Sequence, residues 1–169
     1  MINNRKIILI ASIGLNNEIG LNNNLIWHLK KDLKIFKDLT LNNNIIMGKN
    51  TYLSLPGKDE NKCLKNRNNI VLTKDKNFKC KNCIIANDIF DAVDKSEKNK
   101  NILIIGGESI YKQYFEYVDM MYITFIKDYV KEDVKDLKYF PEISLNDWFI
   151  NNLNKFNKFN IIEFKRKRI

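Results

Sequence analysis

Short, wholly apolar runs alternate along this chain with stretches in which apolar residues recur every three or four positions. Runs rich in β-branched residues occupy "KIILIASI" (6–13), "NIIMG" (44–48), "NIVLT" (69–73), "CIIA" (83–86), "NILIIGG" (101–107) and "MMYITFI" (120–126). Several are apolar on both faces, which predicts strands of a parallel sheet covered on two sides. Helical spacing fills the intervals at 29–39, 50–55, 88–95 and 108–116. After residue 126 it stops, and "WFINNLNKFNKFNIIEFKRKRI" predicts an antiparallel hairpin added to the sheet edge. In "FKRKRI", Phe164, Arg166 and Arg168 alternate with Lys165, Lys167 and Ile169, as on an edge strand. The Lys/Asn-rich patches at 58–69, 74–82 and 95–101 read as surface loops. With no repeat and no Gly/Ser/Pro linker, the expectation is one α/β domain over 1–169. It should hold about eight strands, mostly parallel, and about four helices.

One residue breaks the pattern. In "IGLNNNLIWHLKKDLKIFK" (19–37), Leu29, Leu33 and Phe36 share a helical face that should be buried. Asp32 falls on that same face. A carboxylate in apolar surroundings needs a partner or shifts its pKa.

Composition narrows the classes. The 169 residues carry a formal charge of +9, which brings polyanionic partners into consideration. The lysines are scattered among asparagines and read as a solvated basic surface; a nucleic-acid face needs clustering with aromatics. No run approaches the ~20 apolar residues of a membrane span. "MINNRKIILIASIG" superficially resembles an export signal, but Gly14, Asn16, Asn17 and Glu18 follow without a small-residue cleavage site. A core strand and a cytoplasmic location are expected. Cys80 and Cys83 form "CKNC", with only Cys63 and His28 available to complete a zinc set, both far off in sequence. Incidental free thiols and no metal are expected.

The strand-to-helix junctions carry the chemistry, because ligands of open α/β sheets bind beyond the carboxyl ends of strands. "IIMGKNT" and "IIGGESIY" each run from a strand through glycine into a helix start, and "IVLTK" ends a strand with Thr73 and Lys74. Backbone N–H groups and cations there favour anions. Together they point to an extended, multiply phosphorylated ligand such as a dinucleotide. The G-x-G-x-x-G fingerprint is absent. No acidic residue stands where an NAD ribose needs one, and Lys49 and Lys74 suit a 2′-phosphate, favouring NADP.

"LIASIGLNNEIGLNNNLIWHLKKDLKIFK", "IIMGKNTYLSL", "IVLTK", "IIGGESIY" and "MYITFI" follow the order and spacing of dihydrofolate reductases. The chain resembles the stand-alone bacterial members of that family from about residue 6 to its C-terminal strand. The resemblance implies reduction of dihydrofolate by NADPH, binding of antifolate inhibitors, a likeness in fold, and a monomer without nucleic-acid or membrane partners. Asp32 would accept hydrogen bonds from the pterin and support protonation at N5, with hydride delivered to C6. Its partner would come from substrate. Thr124 would hold the aspartate and bridge by water to the pterin, and Trp27 would close the pocket. Ile10, Ser12, Leu33, Phe36, Leu55, Ile105 and Tyr111 would line the folate and nicotinamide pocket, and Arg67 would pair with the glutamyl carboxylate.

Residues 18–25, including Ile19, Gly20 and Leu25, would form a mobile loop over nicotinamide. Ser12, Gly48, Lys49, Asn50, Thr51, Leu72, Thr73, Lys74, Ile105, Gly106, Gly107, Glu108, Ser109 and Ile110 would hold the cofactor. A cis peptide between Gly106 and Gly107 is also implied. Ile26 and Lys30 stand where the family commonly has proline, and "LKNR" replaces the usual turn before Arg67. Two other readings remain: a sister reductase of riboflavin synthesis acting on a ribosylaminopyrimidine, and a basic nucleic-acid-binding module. The latter would show steep salt dependence.

Overall fold

Ile7–Ile13 forms β1, the buried strand around which the rest is organised. The structure is a computed structural model describing residues 1–22, 24–57, 62–131 and 134–167. In chain order follow β2 (Glu18–Leu21), β3 (Asn24–Leu25), α1 (Lys30–Thr40), β4 (Asn44–Gly48), α2 (Lys49–Ser54), β5 (Asn68–Leu72) and β6 (Ile84–Ala86). Then come α3 (Ile89–Asp94), β7 (Ile102–Ile104), α4 (Glu108–Tyr114), β8 (Met120–Ile126), β9 (Leu137–Tyr139), β10 (Trp148–Lys155) and β11 (Phe159–Arg166). Eight strands make one sheet in the order β10-β11-β8-β1-β7-β4-β5-β6. All pairings from β8 to β6 are parallel, and β11 joins β8 antiparallel. The apolar runs therefore became the expected mostly parallel sheet with an antiparallel C-terminal hairpin, and the described residues add four α-helices.

Strand alternation divides the core. Ile7, Leu9, Ala11 and Ile13 face one cluster with Ala92, Val93, Ile110, Tyr111 and Tyr114 of α3 and α4. Ile8 and Ile10 face the other, with Phe36 and Leu39 of α1 and Tyr52 of α2. Successive side chains of a strand point to opposite faces, so the two-sided apolar runs feed both clusters at once. Local chemistry ends the elements. Asp88 caps α3 by accepting from the backbone N–H groups of Phe90 and Asp91. Asn17, Asn22, Asn42, Asn66 and Asn82 take positive φ at turns, a conformation asparagine tolerates.

Three expectations need correction. The α1 face carrying Asp32 is only partly core: Phe36 and Leu29 pack against core clusters, whereas Leu33 is 41% exposed because no described element covers it. The described residues of 18–25 carry strand pairing. β2 pairs antiparallel with β3 and with β9, since the distant strand at 137–139 supplies backbone partners that no local pattern announces. β11 is not an edge strand; β10 covers it and takes the edge. Cys80 and Cys83 are not free thiols but a disulfide, because the turn reverses at Asn82 (φ 61°) and brings their Cα atoms to 5.8 Å. Cys63, remote in sequence, donates from Sγ to the carbonyls of Lys81 and Asn82 at 3.2 and 3.1 Å. The expectations for Asn23, for 58–61 within the Lys/Asn-rich loop, and for Arg168 and Ile169 lie outside the described residues.

Candidate active site

Parallel pairing sets Ser12 of β1 directly opposite Thr124 of β8. Both share the side-chain parity of the face that α1 covers, so both hydroxyls reach toward that helix. Asp32 lies in the first turn of α1, where the helix dipole favours a carboxylate. The three side chains meet: Ser12 Oγ donates to Asp32 Oδ2 at 2.7 Å, and Thr124 Oγ1 to Oδ1 at 2.6 Å. Asp32 thus has two protein partners where the sequence led us to expect an outside one and Thr124. A carboxylate offers about four acceptor positions. One on each oxygen is used, leaving one on each able to receive a two-pronged donor.

Around this group, Ile10, Phe36, Leu55 and Ile105 gather in a single apolar cluster. Tyr111 packs in the cluster on the opposite face and donates its hydroxyl to the Ile10 carbonyl at 2.8 Å. Burial pushes its phenol pKa far above the ordinary range. Trp27 packs with Ile126, Phe159 and Ile161, and its indole N–H donates to Asp128 Oδ2 at 3.3 Å. The ring needs glycine beneath it: a Cβ on Gly14 would stand 2.3 Å from Trp27 Cη2.

A second wall lies along the ends of β4, β5 and β7. The Gly48 N–H donates to the Gly106 carbonyl at 2.9 Å, and the Gly106–Gly107 peptide is cis. Gly106 has φ +117°, and a Cβ there would come within 3.1 Å of Tyr111 Oη. Only glycine suits that position. Thr51 approaches Gly107 from α2. Lys49 Nζ contacts Asp75 Oδ2 at 2.8 Å, so an acid does stand on this wall, contrary to the sequence expectation. It was missed because it lies in the loop just after Thr73 and Lys74, where no periodicity fixes which way a side chain turns.

The Asp75 N–H bonds Thr73 Oγ1 at 3.1 Å, and the Asn77 N–H bonds Asp75 Oδ1 at 2.9 Å. The Lys49 ammonium holds the Asp75 carboxyl below its usual range. Lys74 and Asn50 are exposed, whereas Ile19, Leu72 and Ile110 are buried in the core. Glu108 and Ser109 bond within α4, to Lys112 and Gln113. Gly20 pairs with Leu25 in the β2–β3 hairpin, Leu25 being 52% exposed. Asn24 from that hairpin shares a cleft of about 190 Å³ with Asn50, Leu53 and Ser54 of α2.

The family model for dihydrofolate reductase matches residues 6–166. The chain belongs to the dihydrofolate reductase family. It is 37% identical to the dihydrofolate reductase of Buchnera aphidicola from Acyrthosiphon pisum over 160 residues, 91% of this chain and 94% of that protein. With the Staphylococcus haemolyticus dihydrofolate reductase it shares 34% over 143 residues, 85% and 81% of the two chains. The Bacillus subtilis dihydrofolate reductase is 32% identical over 139 residues, 82% and 77% of the two. The family implies a nicotinamide cofactor.

Within this dihydrofolate reductase fold, Arg67 sits at the far end of α1 from Asp32. Its Nη2 donates to the Lys37 carbonyl at 2.9 Å, its Nε and Nη2 to Thr40 Oγ1 at 3.1 and 3.0 Å, and its Nη1 to the Lys65 carbonyl at 2.6 Å. Partial burial lowers its pKa. Glu18 was not singled out from the sequence, yet it is buried and accepts from the Asn16 and Val130 backbone N–H groups at 2.8 and 2.9 Å. It ties the start of the hairpin to the segment after β8. The one signal in the sequence was a lone acid amid neutral asparagines. Among the described residues no group of His, Cys, Asp or Glu is placed to hold a metal ion, and no helix is long and apolar enough to cross a membrane.

Proposed function

We propose that this chain catalyses NADPH-dependent reduction of 7,8-dihydrofolate to 5,6,7,8-tetrahydrofolate, as a single-domain cytoplasmic monomer. The observation that carries this is Asp32 bracketed by Ser12 and Thr124, with one acceptor position left on each carboxylate oxygen. A pterin presents a ring nitrogen and an amino group side by side, which matches that pair of positions. Antifolates presenting the same donor pair would bind there too. Ile10, Leu33, Phe36, Leu55 and Ile105 give the ring apolar walls. Asp32 and Thr40 are eight residues apart on α1, about 12 Å along its axis. Arg67, anchored on Thr40, therefore lies where the carboxylate of a bound glutamyl tail would reach.

The cofactor wall fits a dinucleotide. Gly106 and Gly107 let this turn pack directly against Tyr111 and Thr51, where a Cβ would intrude, and the backbone so placed would face the nicotinamide and pyrophosphate. Lys49, Thr73 and Lys74 would bind a 2′-phosphate, and Thr51 the pyrophosphate. NADPH, when bound, supplies the hydride that reduces C6. The protein holds the pterin through Asp32, closes the pocket with Trp27 and the β2–β3 hairpin, and uses Thr124 to orient the carboxylate; a water positioned by Trp27 and bridged from Thr124 to the pterin gives the proton to N5.

The test is to mix purified protein, NADPH and dihydrofolate and follow the NADPH absorbance. The proposal expects a dihydrofolate-dependent fall. Absence of turnover together with steeply salt-dependent DNA or RNA binding would instead support the nucleic-acid module.

A further inference from the structure

The ion pair between Lys49 and Asp75 has a consequence for cofactor choice. A cleft of about 650 Å³ between α2 and the loop after β5 has Lys49, Lys62, Lys79 and Asp75 in its wall, with Tyr52 and Phe78. Asp75 is the single acid among those four charged groups. Its carboxylate is not free to swing: Oδ1 takes the Asn77 N–H at 2.9 Å, Oδ2 takes Lys49 Nζ at 2.8 Å, and its own N–H is fixed on Thr73 Oγ1. Lys62 is tied down, donating to the Leu53 and Leu55 carbonyls at 2.8 and 3.3 Å. The Lys49 ammonium is thus already partnered, by an acid fixed to the backbone of the loop that also carries Thr73 and Lys74.

We propose that Asp75 is a specificity-determining residue: an internal competitor for Lys49 that narrows the enzyme's preference for a 2′-phosphorylated dinucleotide over its unphosphorylated analogue. This rests on the reading of Lys49, Thr73 and Lys74 as the 2′-phosphate site. A 2′-phosphate approaching Lys49 meets a fixed negative charge on the same ammonium. Part of the attraction is cancelled by repulsion between the two anions, and the ammonium's donors are shared between them. A ligand lacking that phosphate meets neither effect. Asp75 therefore acts on one member of the cofactor pair and not the other. Both partners are partly exposed, so the effect is modest and fades with added salt.

The experiment is calorimetric and needs no turnover. Adenosine 2′,5′-bisphosphate and adenosine 5′-monophosphate are titrated into the full-length protein and into Asp75→Asn, Lys49→Ala and the double variant, at low and high salt. Asparagine keeps an oxygen for the Asn77 N–H, so the loop retains its anchor; Asp75→Ser serves as a second variant should the first fail to fold. The expected result is a roughly three- to tenfold gain in bisphosphate affinity for Asp75→Asn at low salt. The monophosphate affinity should not change, and most of the gain should vanish in the Lys49→Ala background. Unchanged or weakened bisphosphate binding in Asp75→Asn overturns the proposal, weakened binding showing instead that Asp75 orients Lys49. An equal gain for both nucleotides, or a gain that survives intact without Lys49, also overturns it. If the unsubstituted protein binds the two nucleotides equally, the 2′-phosphate reading itself fails, and the proposal with it.

Discussion

The wall that holds Asp32 and the wall that holds Lys49 place charge by different means. Asp32 is gripped by two neutral hydroxyls, and their positions follow from the register of two paired parallel strands. Lys49 begins a six-residue helix and meets an acid carried on a loop, with both side chains about a third exposed. Register in a buried sheet is stiffly specified, because a slip of one residue would turn every core side chain outward. A loop ion pair at the surface is weakly held and screened by salt. The carboxylate needing tight geometry is held by hydroxyls fixed in the register of the buried sheet, and ligand discrimination is left to a softer loop.

The contrast can be broken at its strong end first. Asp32→Asn should keep the fold, which circular dichroism checks, and lower kcat/KM for dihydrofolate at neutral pH at least tenfold, about 1.4 kcal/mol or more. The amide offers no charged acceptor pair to the pterin. A smaller loss would remove Asp32 from the centre of the site.

Gly106→Ala comes next. It forces a Cβ onto a residue at φ +117° and against the Tyr111 hydroxyl. The protein should lose about 2 kcal/mol of stability in urea unfolding. Cofactor affinity should fall more than in a glycine substitution remote from the site, as read by the quenching of tryptophan fluorescence on titration.

Ser12→Ala and Thr124→Val sharpen the comparison. Each removes one hydrogen bond to a charged group, typically about 1.5 kcal/mol or more. Each should lower kcat/KM by roughly tenfold. The double variant should depart from the product of the singles, since the two hydroxyls hold one carboxylate between them. Additive losses would mean that the two act independently.

The smallest effect belongs to the soft wall. Replacing Lys49 and Lys74 together with alanine should raise the KM for NADPH several-fold, a change of about 1 kcal/mol or less as for exposed pairs. The KM for NADH should stay nearly unchanged, as steady-state assays with both cofactors would show. An equal rise for both would place these lysines away from the 2′-phosphate.

Much of this could be read from the chain alone. Two-sided apolar runs announced β1, β4, β5, β7 and β8, helical spacing announced the four helices, and a break in that spacing announced the terminal hairpin. An acid on the apolar face of 29–39 marked Asp32, and paired glycines after a strand marked Gly106 and Gly107. These are local signals: period, branching and the special freedom of glycine act within a few residues. Four features were settled only by tertiary structure. They are the meeting of Ser12 with Thr124 around Asp32, the Lys49–Asp75 pair, the pairing of 18–21 with 137–139, and the approach of Cys63 to the Cys80–Cys83 turn. Each joins segments far apart along the chain, and nothing within either segment states its partner. Register, loop direction and sheet order decide those meetings, and they exist only once the apolar faces have found each other and the backbone has closed its hydrogen bonds.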